Sequence, residues 1–556
     1  MRNQCNGLLR AGAACAAALA LLCAAAGCGQ KTGAGATISY PLATAPRRLD
    51  PVVAEGAAAF LVLENCMEGL VRLDAQGNPT PGAAERWEAS ADGKTITFYL
   101  RKDARWRLPP NAREVLGAAL YDAEYKERVK AGDFAYGPVT AADFVFGLRR
   151  AVDPGSHAPG ADVLFGIRNA QAIAGGKQKP ETLGVRAADD FTLVLTLETT
   201  GAEGRIFDLA TLAQSVAMPC NEAYFNACKG RYGLAPEYLP CNGPFFLFSQ
   251  EDLVVRLRKN TVYAGAQPVL PAAVHLRVQP DPAQRLRLLG ESDGYSAAPV
   301  AEEVLRAAGY AANENDILLQ NSTLCLVSNC GRAPLQNTKL RQALYAALDT
   351  AALGLPTVEG VLPPCAQIGS VPLRALAGEP QKIAHDPARA AQLLQAGGDA
   401  LQLDLLCTPE NEKLLQRMLQ QWQQVFGLAI KARVEPLEPA ALAARLQSGD
   451  YDVAITSLRA ESSFAPQALE GMSGGMAARY QSKVFAALLG AAKAQTGTPE
   501  QAARACLLAE EHLLQNGVVY PLAPQTERLL LAKGVEGLVV SPAGERVFFA
   551  GAKVFL

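Results

Sequence analysis

The chain has 556 residues, 49% of them hydrophobic and 19% charged, which is the composition of a folded chain and too long for a single hydrophobic core. Its net charge of −2 leaves no basic excess for a nucleic-acid surface. The four histidines, His157, His275, His385 and His512, stand far apart and form no HExxH or zinc-finger spacing, so no metal and no metal-dependent chemistry are expected.

Read from the start, Arg2 and Arg10 precede an uncharged, alanine-rich run from Ala11 to Gly27. The run is short for a membrane span and fits a secretory leader, residues 1–27. Its end, Ala25-Ala26-Gly27-Cys28, resembles a bacterial lipoprotein signal, in which the cysteine is lipidated and heads the mature chain. Ala25 stands where such signals usually carry leucine, and an ordinary cleaved signal peptide is the alternative. Residues 28–36 read as a flexible tether. Losing the leader moves the net charge from −2 to −4. No later stretch reaches the roughly 18 uninterrupted apolar residues of a membrane helix. Export permits disulfides. The nine further cysteines, Cys66, Cys220, Cys228, Cys241, Cys325, Cys330, Cys365, Cys407 and Cys506, fit no zinc pattern. Cys220, Cys228 and Cys241 are close enough in sequence for one pair to bridge, with buried free thiols as the alternative.

Period-two alternation predicts strands over 95–100, 191–197 and 253–257, bracketed by turn signals such as Asp92-Gly93 and Asp189-Asp190. Between Trp106 and Gly137 lies a proline-marked loop and a charged, helical piece over 121–130, read as a solvated face. From 401 to 457 the rhythm changes. Strands over 401–406, 429–434 and 451–456 alternate with helices over 410–426 and 439–447, the first carrying Leu414, Leu415, Met418 and Trp422 on one stripe. That alternation predicts a parallel, helix-covered sheet. Ligands of such sheets bind beyond the carboxyl ends of the strands, which points to the loop from Ser457 to Ser463. Gly471-Met-Ser473-Gly-Gly475 matches G-x-S-x-G, but no β-branched strand precedes it. A flexible turn is the reading, and a secreted serine hydrolase acting through Ser473 remains an alternative. Gly175-Gly-Lys177 lacks the rest of a P-loop.

Several motifs, in order, resemble the substrate-binding lipoproteins of peptide-type ABC transporters. Leu49-Asp50-Pro51 followed by Glu68-Gly69-Leu70 is similar to that family's opening. The run from Pro81 through Glu85, Trp87, Asp92-Gly93 and Phe98 to Arg101 resembles its signature closely. Thr140-Ala-Ala-Asp143-Phe144 with Arg149, Gly243-Pro-Phe245, Lys259-Asn260, Leu340-Arg341-Gln342-Ala343, Asp386-Pro387 and Gly449-Asp-Tyr-Asp452 continue it. The resemblance implies an α/β, type II periplasmic-binding-protein fold with two lobes and a third, inserted domain. It places 37–72, 201–278 and 515–556 in the lobe I sheet domain, 73–200 in the inserted domain and 279–514 in lobe II. It implies a monomeric receptor without cofactor or catalytic residue, anchored through Cys28 on the outer face of the cell membrane. Such a receptor hands a peptide to the permease and ATPase of an ABC importer. Asp143, Arg149 and Arg341 are read as structural.

An extended peptide carries unpaired N–H and C=O groups, which a strand-like backbone can satisfy whatever the side chains. By motif position the resemblance assigns this to Glu55, Gly56 and Ala57, and to Ser457, Leu458 and Arg459. It makes Glu461 the carboxylate that meets the ligand's α-amino group, with Ser462 beside it. The sequence departs from the family here. Glu461 stands for aspartate, Leu458 for tryptophan and Ser462 for tyrosine, and Arg459 could hold a carboxylate. Sugars, nickel chelates and opines therefore remain alternative ligands, and a sensor or chaperone-like receptor an alternative role.

Overall fold

A computed structural model describes residues 35–555 except 121–122, 199–206, 208, 266–267, 370, 398–400, 461–462, 474, 494–497, 542–543 and 545. The leader and Cys28 lie outside the described residues.

Two four-stranded sheets share one hydrophobic core. In the first, Thr37–Leu42 runs parallel to Ala273–Val278, and Val254–Lys259 and Phe245–Gln250 follow antiparallel. The second orders Ala84–Ala89, Thr95–Leu100, Thr192–Thr196 and Val185–Asp189, all antiparallel. It lies within the stretch expected as an insertion. Ile96, Phe98 and Leu100 are buried while Thr95, Thr97 and Tyr99 are half-exposed, the alternation that a one-sided sheet requires. The excursion between Trp106 and Gly137 closes at its base. Trp106 pairs with Gly137 across Arg105–Arg107 and Ala135–Pro138, and the Val139 amide donates to the Ala104 carbonyl at 3.0 Å. The Trp106 indole donates to Asp143 (3.1 Å), which also accepts the Thr140 amide at 2.8 Å and so starts the helix Ala141–Val152. The inserted residues therefore leave the motif's two ends in contact.

The third sheet has six strands in the order Ala297–Ala301, Val519–Leu531, Ile317–Ser328, Val453–Arg459, Leu401–Cys407, Ile430–Pro436. The last three are parallel, as their spacing predicts, and the first three are joined by antiparallel pairing. Both faces are covered. Leu324 and Leu326 enter one core, and Cys325 and Val327 the other. Helix Glu412–Phe426 buries Leu415, Met418, Trp422 and Phe426 at helical spacing, and the Trp422 indole donates to the Leu344 carbonyl at 2.8 Å. Residues 515–556 were expected in the first lobe, but Val519–Leu531 pairs inside this six-stranded sheet. Val519 faces one core and Tyr520 and Leu522 the other, a two-sided burial that only a central strand offers. By Leu529 the same strand packs against the first core, so the chain crosses between the bodies here. A second crossing follows Val278. The two meet at Ser296, whose amide donates to the Ser39 carbonyl (2.8 Å) and whose carbonyl accepts the Ala532 amide at 2.9 Å.

The nine cysteines from Cys66 to Cys506 are free thiols, all buried but the half-buried Cys330. No pair among Cys220, Cys228 and Cys241 bridges; instead the Cys241 thiol meets that of Cys66. Among the described residues no helix is long and apolar enough to cross a membrane, and no cluster of three or more His, Cys, Asp or Glu could hold a metal ion.

Candidate ligand-binding cleft

The segment holding Glu55, Gly56 and Ala57 is set by the turn before it. The Asp50 carboxylate accepts the Val52 amide (3.1 Å) and pairs with Arg150 at 2.7 Å, both side chains 12% exposed. Gly233 seals the turn from outside. Its carbonyl accepts the Leu49 amide at 3.0 Å, its φ is +72°, and a Cβ there would sit 2.1 Å from the Asp50 nitrogen, so only glycine fits. Gly56, at φ +83°, opens the helix Ala57–Cys66, and its carbonyl accepts the Ala59 and Phe60 amides at 3.1 and 3.2 Å. Glu55, Gly56 and Ala57 are all exposed. Deeper in that helix, Asn65 donates to the Val547 carbonyl at 2.8 Å, and Glu64 pairs with Arg546 at 3.3 Å.

Ser457, Leu458 and Arg459 end the strand Val453–Arg459 and pair on one side with Leu324, Thr323 and Ser322. On the other side the parallel neighbour reaches only Val453 and Ala454. Among the described residues no strand continues along the far edge of residues 455–459, so part of that backbone is available for a further strand. Ser457 and Arg459 are exposed and Leu458 between them is half-buried. Ser457 bonds to Gln525 through its hydroxyl. Arg459 pairs with Glu527 at 2.7 Å, so a carboxylate of the protein already meets this guanidinium. The Ala460 amide donates to the Asn321 carbonyl at 2.8 Å. Glu461 and Ser462 lie outside the described residues. Ser473 follows the helix Ala465–Met472 and donates back to the Glu470 carbonyl at 2.7 Å. A nucleophile elbow needs a strand in that place. His512 bonds instead to Tyr480 and Ser482, at 3.0 and 3.3 Å.

Two adjoining cavities share Phe60 as a wall. The first, about 210 Å³, is lined by Tyr40, Ala57 and Ala58 from the small-sheet side, by Arg459 from the six-stranded sheet and by Arg285 near the crossing. The second, about 270 Å³, is lined by Glu55, Gly56, Gly160 and Gln214, with Gln467 opposite. Ala57 and Arg459 thus face one space, Glu55 and Gly56 the next, while Ser457 and Leu458 line neither. Burial pushes the Tyr40 hydroxyl well above its usual range, against the pull of Arg459. Nothing in the sequence marked Tyr40, Phe60, Arg285 or Gln467, because they belong to no motif and meet only through the fold.

Residues 78–478 match the family described as bacterial extracellular solute-binding proteins, family 5 Middle. The chain belongs to that family. The family 5 chain is 30% identical over 309 residues to the periplasmic oligopeptide-binding protein OppA of Haemophilus influenzae, covering 55% of this chain and 51% of that protein. It is 26% identical over 406 residues to the dipeptide-binding protein DppE of Bacillus subtilis, covering 69% and 68%. It is 31% identical over 332 residues to the probable deoxycholate-binding periplasmic protein YgiS of Escherichia coli, covering 57% and 55%. The chain thus matches about half the length of the first and third of these relatives. Its fold is that of Haemophilus influenzae OppA complexed with RPPGFSPFR, with a TM-score of 0.71 at 22% identity over 95% of this chain and 100% of the other. The murein tripeptide binding protein MppA of Escherichia coli gives 0.70 at 22% identity over 94% and 99%. The expected type II periplasmic-binding-protein fold, two lobes with an inserted domain, is the fold of this protein.

Proposed function

We propose that the protein is an exported receptor, lipid-anchored through Cys28 on the extracytoplasmic face. It captures a peptide between two closing lobes and delivers it to the permease and ATPase of an ABC importer. One observation carries this reading: Ala57 and Arg459, on elements that pack into separate hydrophobic cores, face one cavity. A ligand there touches both lobes only when they are closed, and that difference drives closure. The backbone of residues 55–57 and the free edge beyond Ala454 are the surfaces that an extended peptide would pair with. Glu461 would meet its α-amino group, since a buried ammonium left unpaired costs several kcal/mol. The protein binds and releases without catalysis, and the names of the oligopeptide- and dipeptide-binding relatives agree with that role. Lobe I comprises 37–72, 201–278 and the residues following the strand Val519–Leu531, with 73–200 inserted and 279–514 plus that strand as lobe II.

The loss of aromatic side chains at Leu458 and Ser462 favours a second reading, in which the same fold serves a non-peptide solute. One experiment separates the two. The chain from Gly29 onward, stripped of carried-over ligand by unfolding and refolding, is heated with pooled peptides of two to eight residues, with sugars and with nickel chelates. Ligand at 100 times its Kd stabilises the fold by about 2.7 kcal/mol. A shift with peptides is the expected result, and a shift confined to another pool moves the substrate class.

A further inference from the structure

The cavity between Tyr40, Ala57 and Arg459 carries charge that peptide-backbone recognition does not need. A main chain is neutral between its ends. Yet the charged residues lining this cavity are both arginines, and among the described residues no carboxylate lines it. Arg285 is buried and fixed by carbonyls, its Nε donating to Gln279 O (2.7 Å) and its Nη1 to Pro299 O at 3.3 Å. Neutral acceptors hold a guanidinium in place without cancelling its charge. Arg459 pairs with Glu527 at 2.7 Å and keeps 42% of its side chain exposed. Among the described residues, one carboxylate against two guanidiniums leaves a positive charge uncompensated. Leu42, Phe60, Leu61 and Val547 give much of the remaining wall apolar side chains, beside Tyr40 and Thr44. At about 210 Å³ the space exceeds the roughly 150 Å³ that admits a benzene ring, enough for a side chain and too little for a whole peptide.

We infer that this cavity is a subsite for a carboxylate carried on an apolar stem, held against Arg459 and Arg285. The carboxylate belongs to an acidic residue of a bound peptide or to a free amphipathic acid. The inference rests on the receptor reading above and adds the charge of the ligand group. Glu527 occupies Arg459 until such a group arrives, so removing its charge frees the guanidinium, and removing both charges leaves the preference to Arg285 alone.

The test uses the stripped chain from Gly29 and titration calorimetry. The probes are peptide libraries matched Glu for Gln and Asp for Asn at each position, together with octanoate against octanamide. A charge-assisted hydrogen bond predicts that the acid binds about tenfold tighter than its amide. Glu527→Gln should widen that gap, and Arg459→Gln with Glu527→Gln should narrow it to the share that Arg285 holds. A gap among peptides identifies an acidic residue as the occupant, and a gap for octanoate alone identifies a free acid. Peptide binding with equal affinity for acid and amide overturns the subsite and leaves the receptor standing. Silence from every probe overturns both. The acid-against-amide comparison on the unsubstituted chain decides the matter where a variant fails to fold.

Discussion

Asp50 shows how a single residue sets the site. Its carboxylate is held by the Val52 amide and by Arg150, whose guanidinium also lies 4.0 Å from the Phe225 ring centroid. Arg150→Met keeps the contact with the ring but leaves Asp50 charged and unpaired in a pocket that water barely reaches. Breaking a largely buried pair in this way should cost about 3 kcal/mol, read from urea unfolding. A loss below about 1 kcal/mol would mean that solvent replaces the guanidinium. Glu461 makes a second prediction at this scale, resting on motif position. Glu461→Gln should weaken peptides with a free α-amino group and spare their N-acetylated counterparts, and equal loss for both would sink the anchor. Asp50 was visible in the sequence through its motif, as were Asp143, which accepts from Trp106, and Arg341, which donates to the carbonyls of Leu335, Gln336 and Asn516. Arg285 was not. Its importance comes from a cavity wall shared by segments far apart in sequence, and no local pattern encodes that.

At the scale of elements, the strand Ala273–Val278 places His275 directly opposite Arg256, with Arg258 and Arg277 nearby. Desolvation, and then these guanidiniums, hold the imidazole below its ordinary pKa of 6.5. The unfolded chain therefore takes up the proton first as pH falls. Stability should drop as pH falls through about 6.5 and level off once the folded imidazole protonates too. His275→Gln should flatten this fall, compared by Tm at about pH 7.5 and 5.5. His512, also held low by burial, keeps its own share of the dependence in both proteins. An unchanged slope would place the whole effect elsewhere. Elements with one exposed face, such as Thr95–Leu100, and the alternating strands and helices from Leu401 to Arg459 were legible from periodicity. The long strands Ile317–Ser328 and Val519–Leu531 were not. Each is buried on both faces over much of its length, which erases the alternation, and Pro521 and Pro524 interrupt the second.

At the scale of the whole molecule, one ion pair spans the two bodies beside the cleft. Lys493 ends the helix Lys483–Lys493, which packs in the core beneath the six-stranded sheet. Its ammonium meets Asp162, whose neighbour Leu164 belongs to the core of the small sheets. It also meets Glu470 of its own body at 2.6 Å. Gln467, one turn before Glu470, faces Gly160 across the second cavity. Opening the proposed lobes must separate Lys493 from Asp162, whereas Glu470 moves with the lysine. The pair therefore favours the closed state by its own net energy. Burial pulls the ammonium's pKa down, but the two carboxylates outweigh it and raise the pKa, so the charge is present across the physiological range. A partly exposed pair contributes on the order of 1 kcal/mol, which predicts about fivefold faster ligand dissociation in Lys493→Met. Association should be nearly unchanged, because the encounter precedes closure. Salt supplies an internal control: raising it should speed dissociation from the unsubstituted protein, by screening the pair, and leave the variant much less affected. Stopped-flow displacement at low and high salt measures both. Equal rates and equal salt response in the two proteins would show that apolar contacts and the ligand itself hold the lobes together.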